Sequence, residues 1–226
     1  MELLVFGHAG PRTVVFPTRE GRFYDYENFG MVGALAEPLE EGRRQLFCVD
    51  SIDSESFYGA HLPPGQRIVR HQQYEDYILE EVLPLTSLIN DHPELVAHGC
   101  SIGAYHATNI ALRHPRRFQR VVALSGRYDL TEQLGPFPDL FDGYRSDHIR
   151  SHTPNYYVPR LRDWDHLDAL RRMEIMLVIG AEDPFFESTQ YLANSLWAKE
   201  IRNRLVIWNG EAHRASYWRK MVKLYL

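Results

Sequence analysis

Cysteine is scarce in this chain: Cys48 and Cys100 are the only two among 226 residues. A disulfide scaffold is thereby excluded, and because both lie in apolar runs, buried free thiols are expected. No His or Cys pair has zinc-like spacing with a matching second pair, so neither a metal nor another cofactor is predicted. No apolar stretch approaches the roughly 20 residues that a membrane helix needs. Met1-Glu2-Leu3-Leu4-Val5 lacks the basic-then-apolar layout of a secretory signal, and cytoplasmic residence is the expectation. Basic charge is not in excess either. The formal charge of −5 gives no electrostatic reason to expect a nucleic acid or a membrane as partner. Internal repeats and low-complexity tracts are also missing, which argues against a solenoid or a linker-rich chain.

What is present suits one globular unit. Hydrophobic residues make up 44% of the chain, enough to fill a large core at this length, and a single domain over 1–226 is predicted. Runs at 3–6 and 13–16 are β-rich and joined by Gly7-His8-Ala9-Gly10-Pro11, a hairpin signal. Residues 18–30 read as a loop. Met31, Leu35 and Leu39 recur at helical spacing over 31–41, and 45–49 is apolar enough to be an interior strand. The acids of 50–56 fit no cation-binding spacing and read as a solvated loop. A long helix over 66–90 should kink at Pro84.

From residue 94 onward, strand and helix alternate. Strands are predicted at 94–100, 120–124, 175–179 and 205–208, and helices at 102–113, 164–170, 184–199 and 217–224. Such alternation points to right-handed βαβ crossovers, hence an α/β fold with a mainly parallel, doubly wound sheet and helices on both faces. Between them, 126–162 has no sustained period and is rich in proline, tyrosine and phenylalanine. An irregular stretch of that length is usually a functional excursion, here a cap over a pocket. Tyr128 and Tyr157 are its candidate substrate contacts, apolar rings with polar tips. Arg127 and Arg145 could steer a carboxylate-bearing substrate, but the favoured reading is of solvated side chains.

One stretch gives this organisation a chemical purpose. Gly99-Cys100-Ser101-Ile102-Gly103 fits the G-x-S-x-G nucleophile elbow, a sharp strand-to-helix turn that holds a serine hydroxyl clear of the backbone. The bare pattern is common by chance, but here a predicted strand precedes it and a predicted helix follows, as the mechanism requires. A serine hydroxyl becomes nucleophilic only when a base takes its proton, and that base needs an orienting carboxylate. In a doubly wound sheet such groups collect on loops at the carboxyl ends of strands. Gly180-Ala181-Glu182-Asp183-Pro184 follows one strand and Gly210-Glu211-Ala212-His213 follows the last. Ser101, Asp183 and His213 are therefore the candidate catalytic set, with Glu182 as the alternative acid. Asp183 before Pro184 is equally a good start for a helix. The candidate oxyanion donors are the N–H groups of Ile102, next to the serine, and of Arg19, with Thr18 beside it.

These motifs resemble the putative-esterase branch of the α/β-hydrolases, the group of esterase D-like enzymes, feruloyl esterases and antigen 85 mycolyltransferases. Besides the elbow, the residues that carry the resemblance are Phe16-Pro17-Thr18 with Gly21-Arg22-Phe23, Asp50 through Ser56, Gly180 through Phe185, and Ala212-His213. The resemblance implies an α/β-hydrolase fold and a serine carboxylic-ester hydrolase acting on a small-molecule ester, with the same Ser101, Asp183 and His213. Acyl transfer, amide or polyester hydrolysis, and a non-catalytic binding protein on the same fold are the rival readings. Two departures from the resemblance stand out: His213-Arg214-Ala215 replaces the common His-Asp-Trp, and Pro17-Thr18 replaces His-Gly. A homo-oligomer is not predicted.

Overall fold

The central strands are apolar on both faces, so each must be covered by helices above and below. The computed structural model describes residues 1–226. In chain order its elements are β1 (Leu3–Phe6), β2 (Arg12–Phe16), α1 (Asp25–Asn28), α2 (Met31–Ala34), α3 (Ala36–Glu40), β3 (Gln45–Val49), α4 (Pro64–Tyr77), a π-helical turn (Ile78–Val82), α5 (Leu83–Ile89), β4 (Leu95–Cys100) and α6 (Ile102–Arg113). Then follow β5 (Arg120–Leu124), α7 (Asp147–Arg150), α8 (Pro154–Tyr157), α9 (Trp164–Arg171), β6 (Glu174–Gly180), α10 (Phe186–Ala198), β7 (Arg204–Trp208) and α11 (Ala215–Tyr225).

The seven strands form one sheet in the order β1-β3-β2-β4-β5-β6-β7, parallel except for β1. This is the mainly parallel α/β architecture predicted from the alternation. The β1–β2 hairpin is not formed. β3 inserts between them, pairing antiparallel with β1 (Leu3 opposite Val49) and parallel with β2 (Arg12 opposite Gln45). The reason lies in β3 itself: all five of its residues are buried, so it cannot serve as an edge. Gly7 and Gly10, both at positive φ, let the connection cross over the start of β3, where a Cβ on either would lie 2.5 Å from backbone atoms of Arg43 or Arg44.

Alternate strand residues feed two cores. Val14, Ala97, Val121, Ala123, Ile175 and Leu177 face α4, α6, α9 and α10, while Val15, Val96, Val122, Leu124, Met176 and Val178 face α2, α3 and α11. The helix expected over 31–41 is broken in two at Leu35. The expected kink at Pro84 takes the form of the π-helical turn just before it, which accommodates a residue that cannot donate. Within the excursion Leu130, Leu140, Phe141 and Ile149 make a third core with Phe57, Ile68, Ile102 and Tyr105. That third core rests on the N-terminal half of α6 and so on the element that carries the elbow. No helix is long and apolar enough to cross a membrane.

Candidate active site

β4 ends at Cys100, and Ser101 turns the chain into α6 with φ 59 and ψ −124. A non-glycine residue in this region costs of order 1–3 kcal/mol and persists only where its surroundings impose it. The surroundings here are backbone. A Cβ at Gly99 would sit 2.3 Å from the Gly103 carbonyl, and one at Gly103 would sit 2.3 Å from the Phe16 oxygen and 2.5 Å from the Pro17 oxygen. The two glycines thus allow α6 to start directly against β4 and β2. The Ser101 N–H donates to the Leu124 carbonyl at 2.9 Å, locking the turn onto β5.

The loops after β6 and β7 are laced together. Ala181 N–H donates to Trp208 O at 2.8 Å and Glu182 N–H to Gly210 O at 3.1 Å. Gly180 allows this crossing, since a Cβ there would lie 2.0 Å from the Glu211 oxygen. The lacing brings three distant residues into line. His213 Nδ1–H donates to Asp183 Oδ2 at 2.8 Å, and Ser101 Oγ–H donates to His213 Nε2 at 3.0 Å. The carboxylate can only accept, so it fixes the imidazole tautomer and leaves Nε2 as the acceptor facing the hydroxyl.

The Asp183 side chain is fully buried while His213 keeps 15% of its side-chain surface exposed. Asp183 Oδ1 also accepts from the Phe185 N–H at 2.9 Å, closing a local turn, but it does not start the helix as expected: α10 begins at Phe186, and Phe185 precedes it with no side-chain cap. Glu182, the alternative acid, is exposed. The rings of Phe185 and Trp218 stand edge-on to His213 with centroids 5.6 and 5.4 Å away, and Trp218 Nε1–H donates to Ser125 Oγ at 3.1 Å. Trp218 gave no signal in the sequence, since it lies five residues past the histidine inside an amphipathic helix.

Ile102 N–H, Thr18 N–H and Arg19 N–H take no protein acceptor. Thr18 to Gly21 is a tight turn closed by Gly21 N–H on Thr18 O at 2.8 Å, with Glu20 at φ 50. Of the acids at 50–56, only Glu55 is solvated as expected. Asp50 and Asp53 are 7% and 1% exposed and accept hydrogen bonds from the 18–23 segment and from His106.

Tyr128 and Tyr157 are corrected. Tyr128 is 0% exposed within the core, and Tyr157 packs against the same core with its hydroxyl donating to Asn109 Oδ1 at 3.4 Å, so both rings pack into the core. Phe137 is the excursion's aromatic near the histidine, its ring 4.7 Å from that of Phe185. The arginines are not free either. Arg127 is buried and donates to the carbonyls of Asp129, Glu132 and Pro138, and Arg145 binds Asp139 and the Thr131 carbonyl.

A second buried polar cluster lies between α4 and the excursion, where His71, Glu75 and His152 bring potential ligand atoms within 4.8 Å of one another. Glu75 is already engaged by Arg113 and His114 at 2.9 Å and by Asn109 at 3.1 Å. A dication would have to compete with the Arg113 guanidinium for that carboxylate. Burial, reinforced by Arg113, lowers His152 to about 4 and holds the ring neutral.

Residues 41–220 match the family described as Putative esterase, and the chain belongs to that family. It is accordingly an enzyme of the hydrolase class with esterase-type activity, on an α/β-hydrolase fold. Among solved structures it is similar to a ferulic acid esterase, at 16% identity and TM-score 0.73 over 99% of this chain and 90% of that one. It is also similar to an S-formylglutathione hydrolase from Agrobacterium tumefaciens, at 17% identity and TM-score 0.72 over 98% and 86% of the two chains. FphF, a fluorophosphonate-binding serine hydrolase from Staphylococcus aureus, matches at 17% identity and TM-score 0.70 over 95% and 81%. At these identities the likeness is one of fold. No curated protein sequence matches significantly.

Proposed function

We propose that the protein hydrolyses small carboxylic esters through an acyl-enzyme on Ser101. The observation that carries this reading is the unbroken line from Ser101 Oγ through His213 to Asp183, with the serine at a positive φ. Ser101 Oγ attacks the ester carbonyl while His213 Nε2 takes its proton. Asp183 holds the resulting imidazolium in place, and the negative oxygen is received by the N–H groups of Ile102 and Arg19. His213 then gives the proton to the departing alcohol. Water, activated by the same imidazole, attacks the acyl-serine, releases the acid and restores the hydroxyl.

Phe137, partly exposed and packed on the buried Phe185 beside His213, takes the place of the tyrosines as an acyl or alcohol contact. The whole chain acts as one catalytic unit, and two unpaired, buried cysteines suit a cytoplasmic setting. Ser101→Ala should abolish turnover of short p-nitrophenyl esters and labelling by a fluorophosphonate, with the thermal midpoint unchanged. Turnover surviving the substitution would remove Ser101 from the mechanism.

A further inference from the structure

An oxyanion hole made of two backbone N–H groups works only if their separation is fixed, and here they come from different parts of the chain. Ile102 opens α6, whereas Arg19 sits in the turn after β2. We infer that a buried Asp53–His106 pair is the strut that sets this separation; the inference rests on the ester-hydrolase reading above.

His106 lies four residues after Ile102, one turn along α6 and on the same side of it. Its Nε2 pairs with Asp53 Oδ1 at 3.0 Å, and the two side chains are 3% and 1% exposed. The other carboxylate oxygen, Oδ2, accepts from the backbone N–H of Glu20 at 3.3 Å. Glu20 is the residue after Arg19, so one carboxylate joins the helix that carries the first donor to the turn that carries the second.

That turn needs a restraint. Glu20 holds φ 50, in the left-handed region that a residue with a side chain adopts only when its surroundings impose it. The neighbouring contacts run between the same two segments. Asp50 Oδ1 accepts from Arg22 Nε at 2.8 Å and from Phe23 N–H at 3.3 Å, and the Arg19 guanidinium lies 4.4 Å from the centroid of the Tyr58 ring. Asp53 is itself fixed, its N–H donating to Ser51 Oγ at 3.0 Å and its carbonyl accepting from Tyr58 N–H at 2.8 Å. The His106 ring stacks between Phe16, 6.1 Å away, and Phe57, 5.8 Å away, which excludes water from the pair. A buried polar pair of this kind contributes little net stability compared with apolar residues of the same volume. Placement of the donors is what this one supplies.

The test compares wild type with Asp53→Asn, His106→Phe and His106→Gln, the last still able to donate to Asp53. The measurements are kcat and KM for p-nitrophenyl acetate, the affinity of a small alkyl boronic acid that adds to the serine as a tetrahedral mimic, and the thermal midpoint. Asp53→Asn and His106→Phe should lower kcat and boronate affinity together by about 10- to 100-fold, the loss expected when a donor is misplaced by up to 1 Å. KM should stay within about twofold, and His106→Gln should recover most of kcat. Leu196→Ala, a cavity in α10 remote from the turn, should lower the midpoint yet keep kcat. Amide exchange at Glu20 should quicken in Asp53→Asn, which reads the strut without turnover.

Wild-type kcat and boronate affinity in folded Asp53→Asn or His106→Phe would overturn the inference, as would losses that track the midpoint alone. A wild-type protein that neither turns over esters nor reacts with a fluorophosphonate would instead overturn the hydrolase reading and the strut with it. The two failures are therefore distinct.

Discussion

Gly103→Ala tests the close backbone approach at the turn that carries Ser101. The added Cβ would lie 2.3 Å from the Phe16 oxygen and 2.5 Å from the Pro17 oxygen, whereas a comfortable carbon–oxygen contact is about 3.3 Å. Both obstacles are backbone, so no rotamer change relieves them. The N-terminus of α6 must retreat from the end of β2 by about 1 Å, and overpacking of this kind costs about 1–3 kcal/mol. For a chain of this size each kcal/mol lowers the midpoint by about 2–4 °C, so a cost of about 2 kcal/mol means a fall of about 4–8 °C. The same movement carries Ile102 N–H and Ser101 Oγ away from the 18–21 turn, and a displacement of about 1 Å costs about 100-fold in turnover. Gly33→Ala is the matched control. It lies inside α2 with nothing within 4 Å of its added Cβ, and should raise stability by about 0.4–1 kcal/mol without touching turnover. Ester hydrolysis and a melting curve on both variants decide the matter. Wild-type kcat and midpoint in Gly103→Ala would refute the claim that backbone contact at this glycine sets the site.

Asp183→Asn should keep the turn, since Oδ1 can still accept from Phe185 N–H, but it presents an amide N–H to His213 Nδ1 and so favours the wrong tautomer. Turnover should fall by about 10⁴-fold with little change in midpoint, read by steady-state kinetics and melting on one preparation. Stability should depend on acid through His98, whose ring is buried with only Nδ1–H bonded, to Val122 O at 2.7 Å. Burial lowers this histidine to about 4, so its unfolded form takes up a proton near 6.5 while the folded form resists. The stabilisation is therefore complete above pH 6.5 and lost as pH falls toward 4, at most about 3 kcal/mol. His98→Gln should flatten that part of the midpoint-against-pH curve.

The sheet was legible because its strands are apolar runs at regular spacing, and β5 and α6 have the bounds that the sequence implies. The candidate site was legible for a related reason. The glycines at 99, 103 and 180 mark close backbone approaches, and the three reactive side chains sit beside them in chain order. What escaped the sequence depends on contacts between distant segments. β3 displaces β2 from β1 because a fully buried strand demands two neighbours, and a local hairpin signal carries no information about that. Asp50 and Asp53 look like surface acids until Arg22, Glu20 N–H and His106 are brought to them from elsewhere. Tyr128 looks like a pocket residue because composition cannot tell a ring facing a substrate from one packed in the core.

The excursion illustrates the same limit and bears on how the enzyme selects substrates. An irregular stretch over a reactive serine invites comparison with a mobile lid, but its polar atoms are spent internally. Arg127, 2% exposed, holds three carbonyls of residues 129–138 together. Leu140 N–H donates to Leu130 O, Asn155 N–H to Tyr128 O, and Arg67 from α4 to the Leu140 carbonyl. Opening the segment would strand a buried guanidinium and expose Leu130, Phe141 and Ile149 together, at about 1.5–3 kcal/mol for each apolar side chain. The segment is thus a fixed wall. Phe137 stands on that wall, in contact with Phe185 beside His213. On the proposed reading, discrimination among esters comes from the shape that Phe137 and its wall present to a bound acyl or alcohol group, not from closure around it.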